Sequence, residues 1–338
     1  MVTAESLYKK LGNIKIGGNV CKYTMEKCKE YAPLINEINE LKKEKNAVIL
    51  AHSYVSPEVI HGVSDYSGDS YELSKNAQGT DAETIVFSAV RFMAETAKIL
   101  NPEKQVLIPS SPNGCTLADA ISGEEVKRLK AENPDFTFIC YINTTAEVKA
   151  ECDVCVTSSN VYKIAENVPN DKIFFVPDKL MGLNLIEDLK ARGINKTIKI
   201  HHGTCYAHEK YDEDMIQYIR QQYPDAEVLS HPECNAGVLK HSDYVGSTSQ
   251  MINYVKASTA NAFFLLTECG LSARLQLELP DKKFVGTCTL CKYMKANTLE
   301  DILRVLKAPE QKDIVELDEE IRKRALHCIS EMFRYTEG

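Results

Sequence analysis

The hydrophobic residues of this chain fall in short runs. "AVILA" (47–51), "FTFIC" (136–140) and "AEVLS" (226–230) are each followed by a second run, "TIVFSAV", "KIFFVPD" and "NAFFLLTE" respectively. A third then follows: "VLIPS", "IKIHH" and "KFVGT". Runs of this length, rich in Val, Ile and Phe, match strands buried on both faces of a parallel sheet. The segments between them read as helices. Strand–helix alternation predicts parallel α/β units with right-handed crossovers.

The pattern occurs three times. "HSYVSPEV", "YINTTAEV" and "HPECNAGV" begin at His52, Tyr141 and His231, spaced 89 and 90 residues apart. Each opens on a polar ring. A polar group stands two positions on (Tyr54, Asn143, Glu233) and a valine seven positions on (Val59, Val148, Val238). An aspartate follows in each copy (Asp65, Asp153, Asp243), then a hydroxyl cluster: Ser70, then Ser158 with Ser159, then Ser247 with Thr248. The prediction is three αβα domains in pseudo-threefold array: 1–115 with 292–338, then 116–205, then 206–291. Ligands of open α/β sheets bind beyond the carboxyl ends of the strands, so the segments from His52, Tyr141 and His231 should face one centre. Helices are predicted over 26–45 and 313–334. The second carries an apolar stripe of Ile314, Leu317, Ile321, Ala325, Cys328 and Met332, and is expected to return over the first domain.

Composition narrows the partners. The chain has 338 residues, 44% of them hydrophobic and 26% charged, with a net charge of −8. That is ordinary for a globular protein and gives no basic surface for nucleic acid. No apolar run is long enough for a signal peptide or membrane span, so a cytoplasmic protein is expected. Twelve cysteines in a reducing compartment are thiols or metal ligands, and most buried ones are packing.

Three cysteines stand apart. Cys115, Cys205 and Cys291 each follow the last strand of a repeat, lying 63, 64 and 60 residues after its opening ring. Equivalent positions around an axis converge, bringing three thiolates together. Soft thiolates select zinc, copper(I) or iron–sulfur clusters. Three rather than four leave one iron of a [4Fe–4S] cluster open as a Lewis acid. Cys288 is a fourth candidate of lower rank, because no other repeat supplies a second cysteine. Cys152 and Cys155 have no counterpart in the other repeats and read as packing. Their separation from Cys288 and Cys291 is too long for a zinc ribbon.

Motifs along the chain carry a resemblance: "AHSY", "GDS", "RFMAETAKIL", "GCTLAD", "YINTTAEVKA", "CVTSSN", "VPDKLMG", "HHGTCYAHE", "HPECNAGV", "VGSTSQMI", "LLTECG" and "CKYMKANTLEDI". In this order they resemble the quinolinate synthase family of NAD biosynthesis, from about His52 to Leu303. The one mild departure is Lys179 and Met181 in "VPDKLMG". The resemblance implies a [4Fe–4S] cluster on Cys115, Cys205 and Cys291. It also implies condensation of iminoaspartate with dihydroxyacetone phosphate to quinolinate, phosphate and two waters. Transient contact with the iminoaspartate-producing oxidase or dehydrogenase is a candidate interaction.

Those substrates carry two carboxylates and a phosphate, and the chemistry moves protons. Ser70, Ser158, Ser159, Ser247 and Thr248 at helix entries suit anion binding, although plain N-capping is the simpler reading of any one of them. His52, His208 and His231 suit proton transfer or phosphate binding. Glu233 is the candidate general base, expected to have a raised pKa in a closed pocket. Tyr54 and Tyr141 are hydrogen-bonding or proton-donating candidates, Asn143 binds carboxylate, and Met93 is a wall. The catalytic candidates are thus Glu233, Tyr54, His231 and His208. The competing readings are another iron–sulfur (de)hydratase acting on a small dicarboxylate, and a non-catalytic iron–sulfur or zinc sensor.

Overall fold

In the computed structural model, residues 1–15, 22–287 and 289–337 are described. Among them, twelve strands form three four-stranded parallel sheets. The first holds β1 (Ala47–His52), β2 (Tyr66–Gly68), β3 (Thr84–Ser88) and β4 (Gln105–Leu107). The second holds β5 (Thr137–Tyr141), β6 (Val154–Val156), β7 (Lys172–Val176) and β8 (Thr197–Ile200). The third holds β9 (Ala226–Ser230), β10 (Tyr244–Val245), β11 (Ala262–Leu266) and β12 (Lys283–Phe284). Their orders, β2-β1-β3-β4, β6-β5-β7-β8 and β10-β9-β11-β12, are one topology repeated. In each sheet the strand order, not the strand direction, reverses between the two central strands, which places a crevice at their carboxyl ends.

Burial explains the register. The central strands β1, β3, β5, β7 and β11 are buried at every position after the first, so their apolar runs need no alternation. The short strands β2 and β10 escaped the sequence reading, whereas the stretch around Cys152 and Cys155 reads as strand-like and holds β6. The repeated aspartates fix all three. Asp65 accepts the Ile49 amide at 2.8 Å, Asp153 the Phe138 amide at 2.7 Å and Asp243 the Val228 amide at 2.7 Å. Lys42, Lys130 and Arg220 hold the same three carboxylates from neighbouring helices. These aspartates therefore lock the entry to each edge strand.

The N-terminal half of the frame follows expectation, with a helix at Met25–Glu44. The C-terminal end differs in two respects. The last helix begins at Glu319, not 313. Before it, Ile314 bridges Leu107, and the Val315 amide donates to Val106, so this segment extends the edge of the first sheet. The helix itself packs chiefly on helix 146–151 and on β6, with a smaller contact to helix 91–100. It therefore covers the second unit rather than returning to the first. Its apolar stripe Ala325, Cys328, Ile329 and Met332 is buried there. Among the described residues, no helix is long and apolar enough to cross a membrane.

Candidate active site

The carboxyl ends of all three sheets open into one cavity. Its wall includes His52, Tyr54, Ser70 and Met93 from the first repeat, Tyr141, Asn143 and Ser158 from the second, and His231, Glu233 and Thr248 from the third. His208, Cys115, Cys205 and Cys291 complete the set of candidates that line it. Ser159 and Ser247 do not. The Ser159 hydroxyl is 2.7 Å from Thr157 Oγ1. Ser247 caps helix 248–257, accepting the Gln250 amide and donating to Asp69 at 3.1 Å, so capping is its role.

The three cysteine loops share one local geometry. Each thiol accepts backbone N–H groups two and three residues on: Leu117 and Ala118 for Cys115, Ala207 and His208 for Cys205, Tyr293 and Met294 for Cys291. Burial dominates their acidity, pushing Cys115 up to about 12 and raising the other two. Amides aimed at a buried sulfur favour its thiolate, but desolvation disfavours an uncompensated charge. The donor set therefore fits a bound soft cation or cluster, which supplies the missing positive charge. Cys288 lies outside the described residues. Glu268, fully buried, orients one loop: its carboxylate accepts the Cys291 amide at 3.1 Å and pairs with Lys295 at 3.1 Å.

A hydrogen-bond chain crosses the cavity. Tyr141 donates to Glu233 Oε1 at 2.6 Å, and Oε2 is 2.9 Å from His208 Nδ1. The other nitrogen of His208 is 2.9 Å from the Thr267 hydroxyl. Thr267 in turn bonds Tyr54, which accepts from Thr248 at 3.0 Å. With Glu233 ionised, every donor along this path points toward it: Thr248, Tyr54, Thr267, His208 and, from the other side, Tyr141.

Two corrections to the sequence reading follow. Burial does push the Glu233 carboxyl up, but His208, His231 and Tyr141 outweigh it and hold the group below the usual carboxylate range, not above it. The histidines also divide. His52 and His231 accept the amides of Tyr54 and Glu233 at Nδ1, at 3.2 and 3.3 Å, so each carries its proton on Nε2. Burial and neighbouring positive charge depress both to about 3. They are neutral donors. Burial likewise keeps Tyr54 and Tyr141 as phenols. Among the described lining residues there is no Lys or Arg, so an anion here meets imidazole N–H groups, hydroxyls and helix N-termini.

Thr267 is the chief residue missed. It sits just past β11, at the crevice that the topology predicts, inside the "LLTECG" segment, yet nothing in its residue type singled it out.

The family model of the quinolinate synthetase A protein matches residues 36–334. The quinolinate synthase of Alkaliphilus metalliredigens is 44% identical over 301 residues, covering 88% of this chain and 97% of that protein. The quinolinate synthase of Sinorhizobium fredii is 42% identical over 302 residues, covering 89% and 82%. That of Chloroherpeton thalassium is 42% identical over 315 residues, covering 90% and 95%. At this identity and coverage, with a site built from all three sheets, the chain belongs to the quinolinate synthetase A protein family.

Proposed function

We propose that this enzyme condenses iminoaspartate with dihydroxyacetone phosphate, releasing quinolinate, phosphate and two waters. The reaction balances without net electron transfer. The observation that carries the reading is the donor chain converging on Glu233 in a cavity that three cysteine loops share. Cys115, Cys205 and Cys291 would hold a [4Fe–4S] cluster, which when bound supplies one iron without a protein ligand as a Lewis acid. The three repeats would act as domains over 1–115, 116–205 and 206–291, with 292–318 joining the first and the last helix lying over the second. A cytoplasmic location and exchange with the source of iminoaspartate belong to the same reading.

The side chains supply the rest. Neutral His52 and His231 donate Nε2–H to substrate oxygens without placing a buried cation beside them. Ser70 and Thr248 each begin a ten-residue helix, and amides and hydroxyls there favour phosphate or carboxylate. Asn143 has an unpartnered buried Oδ1, free to accept from the imine N–H of iminoaspartate. Ionised Glu233 takes a proton, and the Thr267–His208 path moves one between Glu233 and the Tyr54 hydroxyl. Met93 and the phenol rings exclude water.

The test is an oxygen-free assay with both substrates, following quinolinate and phosphate together. Equimolar appearance of the two is expected. Iron- and sulfide-replete protein that forms no quinolinate would overturn the reading and direct attention to a (de)hydratase acting on a small dicarboxylate.

A further inference from the structure

Cys205, His208 and Glu233 meet at one point of the cavity wall. Cys205 caps the short helix Tyr206–Glu209, which places His208 one turn on, over the same face. His208 Nδ1 is 3.3 Å from the Cys205 sulfur and 2.9 Å from Glu233 Oε2. One ligand atom from each residue lies within 4.8 Å of the other two. Zinc bonds of about 2.0–2.3 Å in a tetrahedron set such atoms about 3.3–3.6 Å apart, so a single ion needs only small adjustments. Among the described residues no other three Cys, His, Asp or Glu side chains come this close. The thiols of Cys115, Cys205 and Cys291 are set wider, as a cluster of several atoms between them requires.

The outer atoms of the ligands are already held. His208 Nε2 is 2.9 Å from the Thr267 hydroxyl, and Tyr141 donates to Glu233 Oε1 at 2.6 Å. Metal-bound imidazoles and carboxylates ordinarily have such partners on their far side. The His208 ring also stacks on His231, with centroids 4.6 Å apart, which fixes its plane. Charge agrees with this geometry. Among the described lining residues there is no Lys or Arg to balance Glu233. One carboxylate and one thiolate neutralise a doubly charged ion, so the filled site carries no uncompensated buried charge.

We propose that, in the cluster-free chain, Cys205, His208 and Glu233 bind one zinc ion whose fourth position faces the cavity and takes a water. The Cys205 thiol releases its proton to solvent. The imidazole stays neutral, its proton moving from Nδ1 to Nε2, where it donates to Thr267. Cys205 belongs to the cluster set as well, so zinc and the cluster exclude one another. Zinc thereby holds the cluster-free chain in an inactive form, with Glu233 and His208 both occupied. The ion site itself is independent of the reaction; only the inactivity rests on the proton roles proposed above.

The test uses the full chain, reduced and freed of iron and sulfide, then titrated with zinc. About one zinc per chain should survive gel filtration, with Cys205 alone of the three cavity thiols protected from alkylation. X-ray absorption of the zinc-loaded wild type should show a single sulfur among the ligands, a readout that needs no variant to fold. Glu233→Gln and His208→Gln should each weaken zinc binding at least about tenfold, while Cys115→Ser and Cys291→Ser should leave it within about threefold. Prior zinc should also block cluster reconstitution until a chelator removes it. No zinc retained would overturn the site. So would two or more sulfurs at the zinc, or a folded Cys115→Ser chain that no longer binds it, since the ion would then sit on the cluster thiols. None of these measurements reads turnover, so failure of the proposed reaction leaves them unchanged.

Discussion

Two groups of cysteines occupy this molecule, and they differ in everything but their chemistry. Cys115, Cys205 and Cys291 sit on loops after corresponding strands, half-buried, each receiving two backbone amides, at the edge of a cavity. Cys140, Cys152, Cys155 and Cys328 sit buried within packed elements, with the Cys140 and Cys328 sulfurs 3.6 Å apart. The first group is arranged by repetition and leaves room for reactants. The second is unrepeated and leaves none. Thiols alone do not define function; the space and the polar groups around them do.

Substitution of one cysteine in each group should separate them most sharply. Cys205→Ser should abolish cluster loading and lower turnover by more than about 10³-fold, since the Lewis acid is lost. Cys155→Ser should leave turnover within about threefold while lowering stability by about 1–3 kcal/mol. Iron content, initial rates and denaturant midpoints measure this. Equal losses of activity would erase the distinction between the two groups.

The hydrogen-bond chain through Glu233 belongs to the cavity alone. Glu233→Gln keeps the shape but removes the carboxylate that Tyr141 and His208 bond, and turnover should fall by about 10²–10⁴-fold with the iron content intact. Thr267→Val is isosteric and breaks only the link between His208 and Tyr54. A fall of about 10–100-fold in kcat with little change in KM is expected. A KM effect without a kcat effect would make Thr267 a packing residue.

The contrast also shows what could be read without coordinates. The central strands were legible because burial on both faces leaves unbroken runs such as "TIVFS" and "AFFLL". The edge strands β2 and β10, three and two residues long and containing Tyr, Ser or Gly, carry no such signal. The cavity trio was legible because it repeats. The quartet was not, because Cys140 and Cys328 are 188 residues apart and only helix packing joins them. The pKa of Glu233 came out reversed, because burial was foreseen but the two imidazoles and the phenol facing the carboxylate were not. The last helix was placed over the wrong unit for a related reason: an apolar stripe states that a face is buried, not against what.

The smallest expected effect concerns the stability of the cavity region as acidity rises. His52 and His231 titrate near 3 in the folded chain against an ordinary 6.5. Between those values the unfolded chain binds more protons, so stability is fully present above about 6.5 and is lost as pH falls toward 3. Each histidine can add at most about 1.4 kcal/mol per pH unit to that slope. His52→Gln should flatten the dependence of the denaturation midpoint between pH 7 and 5 by up to one proton. Cys155→Ser, in a region without a buried neutral imidazole among its described contacts, should shift the whole curve down and leave its slope unchanged. A His52→Gln curve parallel to the wild type would mean that this imidazole reaches water before the chain unfolds, so that the cavity opens in acid while the quartet region stays closed.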